Sequence, residues 1–435
     1  MTATVDPVGE LALPTKRDEA WRYAPHARLA ELSFGPPIGA PSGVAPSVLD
    51  ELVATAPVID GPRVVLVNGV VDTGRSTLTD LPAGLAVAGL ADVAAKRPEA
   101  VAAHFDAATS DPADAFVAAN AAYGRDGAVI EVTDGANVGP IHVVDITVPD
   151  PARNATATGI VVHLGDRSSA TVIETHIGGS DATGGANTRT TVTVGAEATL
   201  EHLMLQDAPA NQVDLSRIDV SQGAGSTLLA RCFNLGASYG RVAYQVHLAG
   251  EGATADLAGL YFGFGDQTLD QQITVIHGAE NCVSRQAFRG VLDDASTGVF
   301  NGGIDVSPGA DGTDAEQSND NLLLSDRAEI NTQPRLEILA DDVACKHGAT
   351  VGQLDETALY YMRSRGIPAL EARRLLINSF ADQTVDLIEI DTVRAWVTAR
   401  LGHDLDQVGA HGYVGDDDGA HGMRDQDGEE TDGHA

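Results

Sequence analysis

Five glycine-containing turns recur at a nearly constant distance along the middle of this chain, and that recurrence restricts the folds open to it. The units begin at Gly165, Gly195, Gly223, Gly250 and Gly278, spaced 30, 28, 27 and 28 residues apart. Small residues follow each glycine, and then a strand-like run, as in Gly165-Asp-Arg-Ser-Ser-Ala-Thr-Val-Ile and Gly223-Ala-Gly-Ser-Thr-Leu-Leu. A period of this size marks a stacked array in which one repeat cannot bury its apolar face without its neighbours. Helical periodicity is almost absent between the turns, so the repeats predict a β-solenoid. An antiparallel meandering sandwich is the alternative, but a sandwich does not require constant spacing.

The repeated texture starts near Ala128 and ends near Cys345. Four regions follow: a mostly helical region over 1–125, a β-helix core over 126–347, a helical region over 348–402 and an acidic, disordered tail over 403–435. In the first region, Thr15 is expected to cap a helix that carries Asp18 and Glu19 in its first turn, with Trp21, Leu29 and Leu32 as its apolar face. A Pro/Gly stretch follows over 35–46, then a strand-like segment over 63–71, then alanine-rich helical pieces over 88–124. After Thr350 the apolar period becomes that of a helix. Asp355 is expected to cap one helix that ends at Gly366. A second starts at Ile367-Pro368, with Leu370, Leu375, Leu376, Ile377, Phe380 and Leu387 as its stripe. A third covers 392–401 with Val393, Trp396, Val397 and Leu401. The tail is rich in Asp, Gly and His and poor in apolar residues, a composition that favours disorder.

Composition narrows the function classes. The net charge is −35, and the lysines are Lys16, Lys96 and Lys346 alone. Such a surface repels nucleic-acid phosphates and anionic lipid heads, so neither nucleic acid nor membrane is an expected partner. Three cysteines, Cys232, Cys282 and Cys345, are too few and too far apart for a disulfide framework or a CxxC zinc site. The stretch from Met1 to Leu13 has no charged head before an apolar run, and no segment approaches the roughly 18 apolar residues of a membrane span. A cytoplasmic location with free thiols is therefore expected. No lysine follows a glycine, so there is no GxxxxGK[ST] loop and no ATP site on this chain. No GxSxG or HExxH occurs either.

The sharpest local signal is Cys345-Lys346-His347, placed at the end of the last strand-like run. On a strand, residues two apart share a face. A thiol and an imidazole on one face form half of a site for a soft or borderline metal, and two ligands are too few to close it. The competing reading is a buried thiol beside a hydrogen-bonded histidine. Cys232 and Cys282 read as small core residues, and His277 as a turn histidine. The acidic stretch 305–320 reads as a solvated loop more readily than as a cation site, and His403, His411, His421 and His434 read as tail filler.

From about Arg231 to Ile388 the chain resembles the SufB/SufD family of iron–sulfur cluster assembly proteins. The resemblance rests on Gln286-Ala-Phe-Arg-Gly-Val-Leu, Asn319-Asp-Asn-Leu-Leu-Leu-Ser, Thr332-Gln-Pro-Arg-Leu-Glu-Ile, Asp341-Asp-Val-Ala-Cys-Lys-His-Gly-Ala-Thr-Val-Gly and Leu359-Tyr-Tyr-Met-Arg-Ser-Arg-Gly-Ile, with Lys16-Arg-Asp-Glu-Ala-Trp-Arg-Tyr near the start. The Cys-x-His-Gly-Ala-Thr-Val-Gly form is similar to the SufD branch; Gly348 stands where the SufB branch typically carries Glu. The resemblance implies a right-handed β-helix core flanked by helical regions. It implies a non-catalytic scaffold that meets SufB β-helix to β-helix and docks the SufC ATPase through its C-terminal helices. It also implies a transient iron–sulfur cluster shared with SufB, with His347, and less strongly Cys345, as candidate ligands. Two other readings stand beside this one: a purely structural partner without cluster ligands, and a carbohydrate-active β-helix enzyme. For the latter, the paired acids Asp293-Asp294 and Asp341-Asp342 sit at turns, where Asp has an ordinary role. A free sheet edge also allows a homodimer.

Overall fold

Successive strands leave for alternate sheets. The computed structural model describes residues 13–106, 114–150, 153–179 and 183–408. Among these, strands from Arg63–Val67 to Val343–Gly352 form a ten-stranded and a nine-stranded sheet stacked face to face. Neighbours within a sheet are mostly parallel. Thr227 lies beside Thr199 on one side and Thr254 on the other, so the structural repeat matches the spacing of the glycines. The result is a β-solenoid of about seven turns.

The turns explain why the repeat is written in small residues. At Gly250 a Cβ would sit 2.1 Å from the Ala224 nitrogen and 2.4 Å from the Gly223 carbonyl carbon, because stacked turns touch through their backbones. The left-handed residue comes two positions later, at Arg167, Glu197, Gly225 and Gly252. From that position Arg167 N donates to Ala196 O, Glu197 N to Ala224 O and Gly225 N to Glu251 O, each at 2.8–2.9 Å. Each turn is thereby hydrogen-bonded to the next.

The space between the sheets holds the main core. Leu200, Met204, Leu228 and Cys232 come from one sheet, and Val192, Ile218, Tyr244 and Val246 from the other. Both outer faces are apolar as well and need cover. Leu203, Leu205, Phe233 and Leu260, on the ten-stranded sheet, pack under Ile377, Ala381, Val385, Val393, Val397 and Leu401 of the C-terminal helices. Val213, Leu215 and Tyr239, on the nine-stranded sheet, pack under Trp21, Leu29 and Phe116, and the Arg241 guanidinium lies 3.9 Å from the Trp21 ring centroid.

The N-terminal region is less helical than its sequence predicts. Thr15 starts no helix: its Oγ1 accepts from Arg17 N at 3.2 Å, its N–H and hydroxyl donate to the Asp18 carboxylate at 2.7 and 2.9 Å, and the helix shrinks to a 3-10 turn at Glu19–Trp21 and a short His26–Leu29 piece preceded by Pro25. Packing of Trp21 on the sheet overrides helix propensity here. The strand-like 63–71 segment is a hairpin, Arg63–Val67 and Val70–Val71, turned by Asn68-Gly69 with both residues at positive φ. Its first strand pairs in parallel with Asn137–Thr147, so this region starts the solenoid sheet and is no separate helical body. A strand, Leu85–Gly89, also occupies the start of the predicted helical stretch.

At the other end the last strand, Val343–Gly352, runs past 347. Asp355 caps the Glu356–Ser364 helix by accepting from Thr357 N at 2.8 Å, and Ala369–Val385 follows. The stripe of the second helix differs from its reading. Ala372, Ile377, Ala381 and Val385 are buried, whereas Leu370, Leu375 and Leu387 are exposed, because the sheet accepts one face only. The third helix, Asp391–Val408, continues through Gly402 because Leu405 joins the same core, so 403–408 is helix and not tail. The rest of the predicted tail, with His411, His421 and His434, lies outside the described residues. Among those residues no helix is long and apolar enough to cross a membrane.

Candidate functional site

The two ends of the solenoid differ. At the first end each sheet finishes in an antiparallel strand, Val70–Val71 in one and Leu85–Gly89 in the other. At the second end the edge strands are Glu329–Ile338 and Val343–Gly352, each pairing on one side only among the described residues. Val343–Gly352 is largely exposed and Glu329–Ile338 partly so, and the apolar Ile338 and Val351 within them and Leu339 just after are exposed. An unpaired parallel edge with apolar residues is a surface that accepts another chain.

Cys345 and His347 stand on this edge. Cys345 lies beside Ala315 and His347 beside Gln317, both of which point between the sheets, while Lys346 points outward and pairs with Glu316 at 2.9 Å. The predicted shared face is therefore real, and it is the inner face of the last coil. Cys345 packs against the cluster of Ile304, Val306, Ala310 and Ala315. His347 is exposed. Burial pushes the Cys345 thiol above its ordinary value; a backbone hydrogen bond at Ala315 offsets part of this and Asp314 adds to it. The thiol stays protonated near neutrality until a metal displaces the proton. Across the gap, Thr332, Pro334 and Leu336 of the other edge strand lie beside Phe300, Gly302 and Ile304 of the coil beneath.

Beneath this mouth the interior is polar. Gln317 Nε2 donates to Gln286 Oε1 at 2.7 Å, and Gln286 Nε2 donates to Gly303 O at 3.3 Å. Farther in, the Cys232 thiol reaches Gln271 Oε1 at 3.6 Å. These glutamines were not legible as site residues. Their one signal is position: Gln286, Gln317 and His347 occupy equivalent places in successive coils.

The remaining sequence candidates are structural. Cys232 and Cys282 are buried, and burial raises both thiols. His277 is sealed at a turn, 2.8 Å from Ser284 Oγ, and burial lowers it to about 4. The acidic 305–320 stretch is a turn only over 307–312. It holds the strand Thr313–Leu323, in which Asp314 and Glu316 face outward to Arg285 and Lys346, while Ala315, Gln317 and Asn319 face inward. Polar residues on both faces disguised the alternation. His403 lies within the third helix. Mid-solenoid, Glu174, His176, His202 and Asp214 form a buried cluster that sequence reading did not find. Glu174 bonds His202 at 2.8 Å, while His176 lies 3.7 Å from Glu174 and 3.5 Å from Asp214, and among the described residues no three His, Cys, Asp or Glu side chains are arranged to hold a metal ion. Any site at Cys345 and His347 therefore needs donors of another kind or from another chain.

A third feature follows the last strand along the chain. Tyr360 and Tyr361, in the first C-terminal helix, are 75% and 58% exposed, and Leu370 and Leu375 of the second are exposed too. This is an apolar surface without cover among the described residues.

Comparison with known proteins agrees with this architecture. The model for the SufBD core domain of SUF-system FeS cluster assembly matches residues 147–380, and that for the SufBD N-terminal region matches residues 3–143. The iron–sulfur cluster assembly protein SufD of Escherichia coli is 29% identical over 396 residues, covering 90% of this chain and 89% of that protein. A SufBD family protein of Synechocystis is 29% identical over 409 residues, covering 89% and 87%. One from Mycobacterium tuberculosis is 32% identical over 276 residues, covering 61% and 68%. With both regions matched in order and the solenoid in place, this chain belongs to the SufBD family of iron–sulfur cluster assembly proteins and is a homologue of SufD.

Proposed function

We propose that this chain is a non-catalytic scaffold subunit of a SUF assembly complex, and that a nascent iron–sulfur cluster forms where its open solenoid end meets the β-helix of a SufB partner. The observation that carries this reading is the position of Cys345 and His347 on the inner face of an unpaired edge strand. Two ligands stand at a surface that a second solenoid would extend. The cluster is cargo, held between two chains and passed on. The exposed Tyr360, Tyr361, Leu370 and Leu375 supply the docking surface for SufC, whose ATP hydrolysis would be linked to movement of the C-terminal helices and, through their packing on the ten-stranded sheet, to the mouth. Free thiols and partners of this kind support a cytoplasmic location for the complex.

The test is co-purification of the chain with SufB and SufC, wild type beside His347→Ala, followed by anaerobic reconstitution read by absorbance and iron content. The expected result is a complex in both cases and loss of cluster in the variant. Equal cluster in both would make the chain a structural arm and move the ligands to SufB.

A further inference from the structure

We propose that Gln317 is a third donor of the candidate site, forming its floor and presenting its side-chain oxygen to a metal ion held by Cys345 and His347. This rests on the reading above and deepens it, because it names a residue of this chain that completes the inward side.

Three observations converge. The first is position. Gln317 lies beside His347 in register, one coil in, and is 2% exposed. Its amide crosses the interior to the opposite sheet, where a Cβ on Gly302 would sit 2.3 Å from Gln317 Nε2. Gly302 itself lies beside Pro334 of the edge strand. The amide thus spans the interior directly below the open mouth, from the sheet that carries His347 to the sheet that carries Pro334.

The second observation is orientation. Gly303 O accepts from Gln286 Nε2, which turns Gln286 Oε1 toward Gln317. An acceptor there requires Gln317 to offer its NH2. The two bonds fix the amide without freedom to flip and leave Gln317 Oε1 as the group not used. The third observation is that this oxygen is buried and has no hydrogen-bond partner among the described residues. A buried acceptor without a partner carries a desolvation cost, and such groups in a folded protein call for a ligand or a function. Thr332 Oγ1, on the facing edge strand and beside the core residue Phe300, is also buried and without a partner among the described residues.

A thiolate, an imidazole and an amide oxygen form a mixed donor set. It suits a borderline ion such as Fe2+, binds it incompletely, and leaves positions open for sulfide and for a partner's ligands. The amide oxygen is the weakest of the three, which fits a site that must release its cargo.

The isolated full-length chain is titrated anaerobically with Co2+, a probe for Fe2+ whose thiolate-to-metal absorption reports sulfur ligation and ignores the tail histidines. Wild type is expected to show the band, and Cys345→Ser to lose it. Gln317→Leu is expected to weaken Co2+ binding about tenfold to a hundredfold, the range seen when a supporting group at a metal site is removed. Gln317→Glu, which keeps an oxygen at that place, is expected to bind at least as tightly as wild type and carries the test should the leucine variant fail to fold. Unchanged affinity in Gln317→Leu, weakened affinity in Gln317→Glu, or no sulfur band in wild type each overturns the proposal. None of these outcomes bears on co-assembly with SufB and SufC, so failure here is distinguishable from failure of the scaffold reading.

Discussion

Polar side chains sealed inside a two-sheet solenoid are supported by partners from other coils, and their titration makes this chain sensitive to pH. Glu174 Oε1 lies 2.8 Å from His202 Nε2, and Glu174 Oε2 accepts from Thr190 Oγ1 at 2.9 Å. Burial alone would raise Glu174, but His202 and His176 outweigh it and hold the carboxyl at about 2. His142 is shifted in the same direction, but here burial itself is the cause. It is 1% exposed, its Nε2 lies 2.8 Å from Thr175 Oγ1, and burial with nearby Arg63 lowers it from 6.5 to about 3. In the unfolded chain this ring takes a proton below 6.5; in the folded chain it does not until about 3. Its contribution is thus present above the ordinary value and lost as pH falls through that window, at about 1.4 kcal/mol per pH unit. Urea unfolding at successive pH values between neutrality and 4 should show His142→Gln less acid-sensitive than wild type by about that slope. Equal slopes would assign the acid sensitivity to other groups. None of this was legible in the sequence. Glu174 and His176 have the same i, i+2 spacing as Cys345 and His347, yet their partners lie far along the chain, His202 28 residues from Glu174 and Ser216 40 residues from His176. Cys345 and His347 were legible as candidates from ligand type and strand spacing, and motif resemblance then pointed to them, whereas a glutamine within a strand carries no such mark.

At the scale of the element, the turn is the best-written part of this sequence. Its glycines are not there for a left-handed backbone, which falls two residues later and is occupied at two turns by Arg167 and Glu197. They are there because stacked turns leave no room for a Cβ, at Gly250 as close as 2.1 Å to backbone. The two requirements separate by mutation. Gly250→Ala must push one turn from the next, and overpacking of this kind costs about 1–3 kcal/mol. Glu197→Gly relieves a strained backbone and adds chain entropy, two effects of similar size and opposite sign, so stability should move by less than about 1 kcal/mol. Thermal unfolding of both variants checks this; a Gly250→Ala variant as stable as wild type would mean that the stack relaxes freely. Period and turn chemistry alone are enough to place the solenoid. The N-terminal helices and the stripe of the second C-terminal helix misled because their sequences are apolar on more than one face. Which face is buried was decided by the sheet, as Ile377, Ala381 and Val385 show.

For the whole molecule, the asymmetry of its ends governs both stability and assembly. A solenoid is held by contacts between adjacent coils, so a terminal coil that lacks a cap has half the support of an inner one. Here, among the described residues, the first end is closed by antiparallel strands and the second is not. Local opening should therefore follow a gradient. Backbone amides of Glu329–Ile338 and Val343–Gly352 should exchange with solvent deuterium faster than those of Thr227–Asn234 and Tyr239–Leu248, which pair on both sides. Addition of SufB should slow exchange in the two edge strands and leave the inner coils unchanged. The C-terminal helices complicate the gradient, since they brace the ten-stranded sheet from outside through Val393, Val397 and Leu401. Among the described residues no comparable helical cover packs on Glu329–Ile338, which is why that strand should exchange faster than inner positions of the same sheet such as Val275 in Thr268–His277. Protection of both edge strands in the isolated chain, equal to that of the inner coils, would show that the mouth is already closed in solution. A second copy of the chain would be the first candidate for closing it, and dilution would then restore fast exchange.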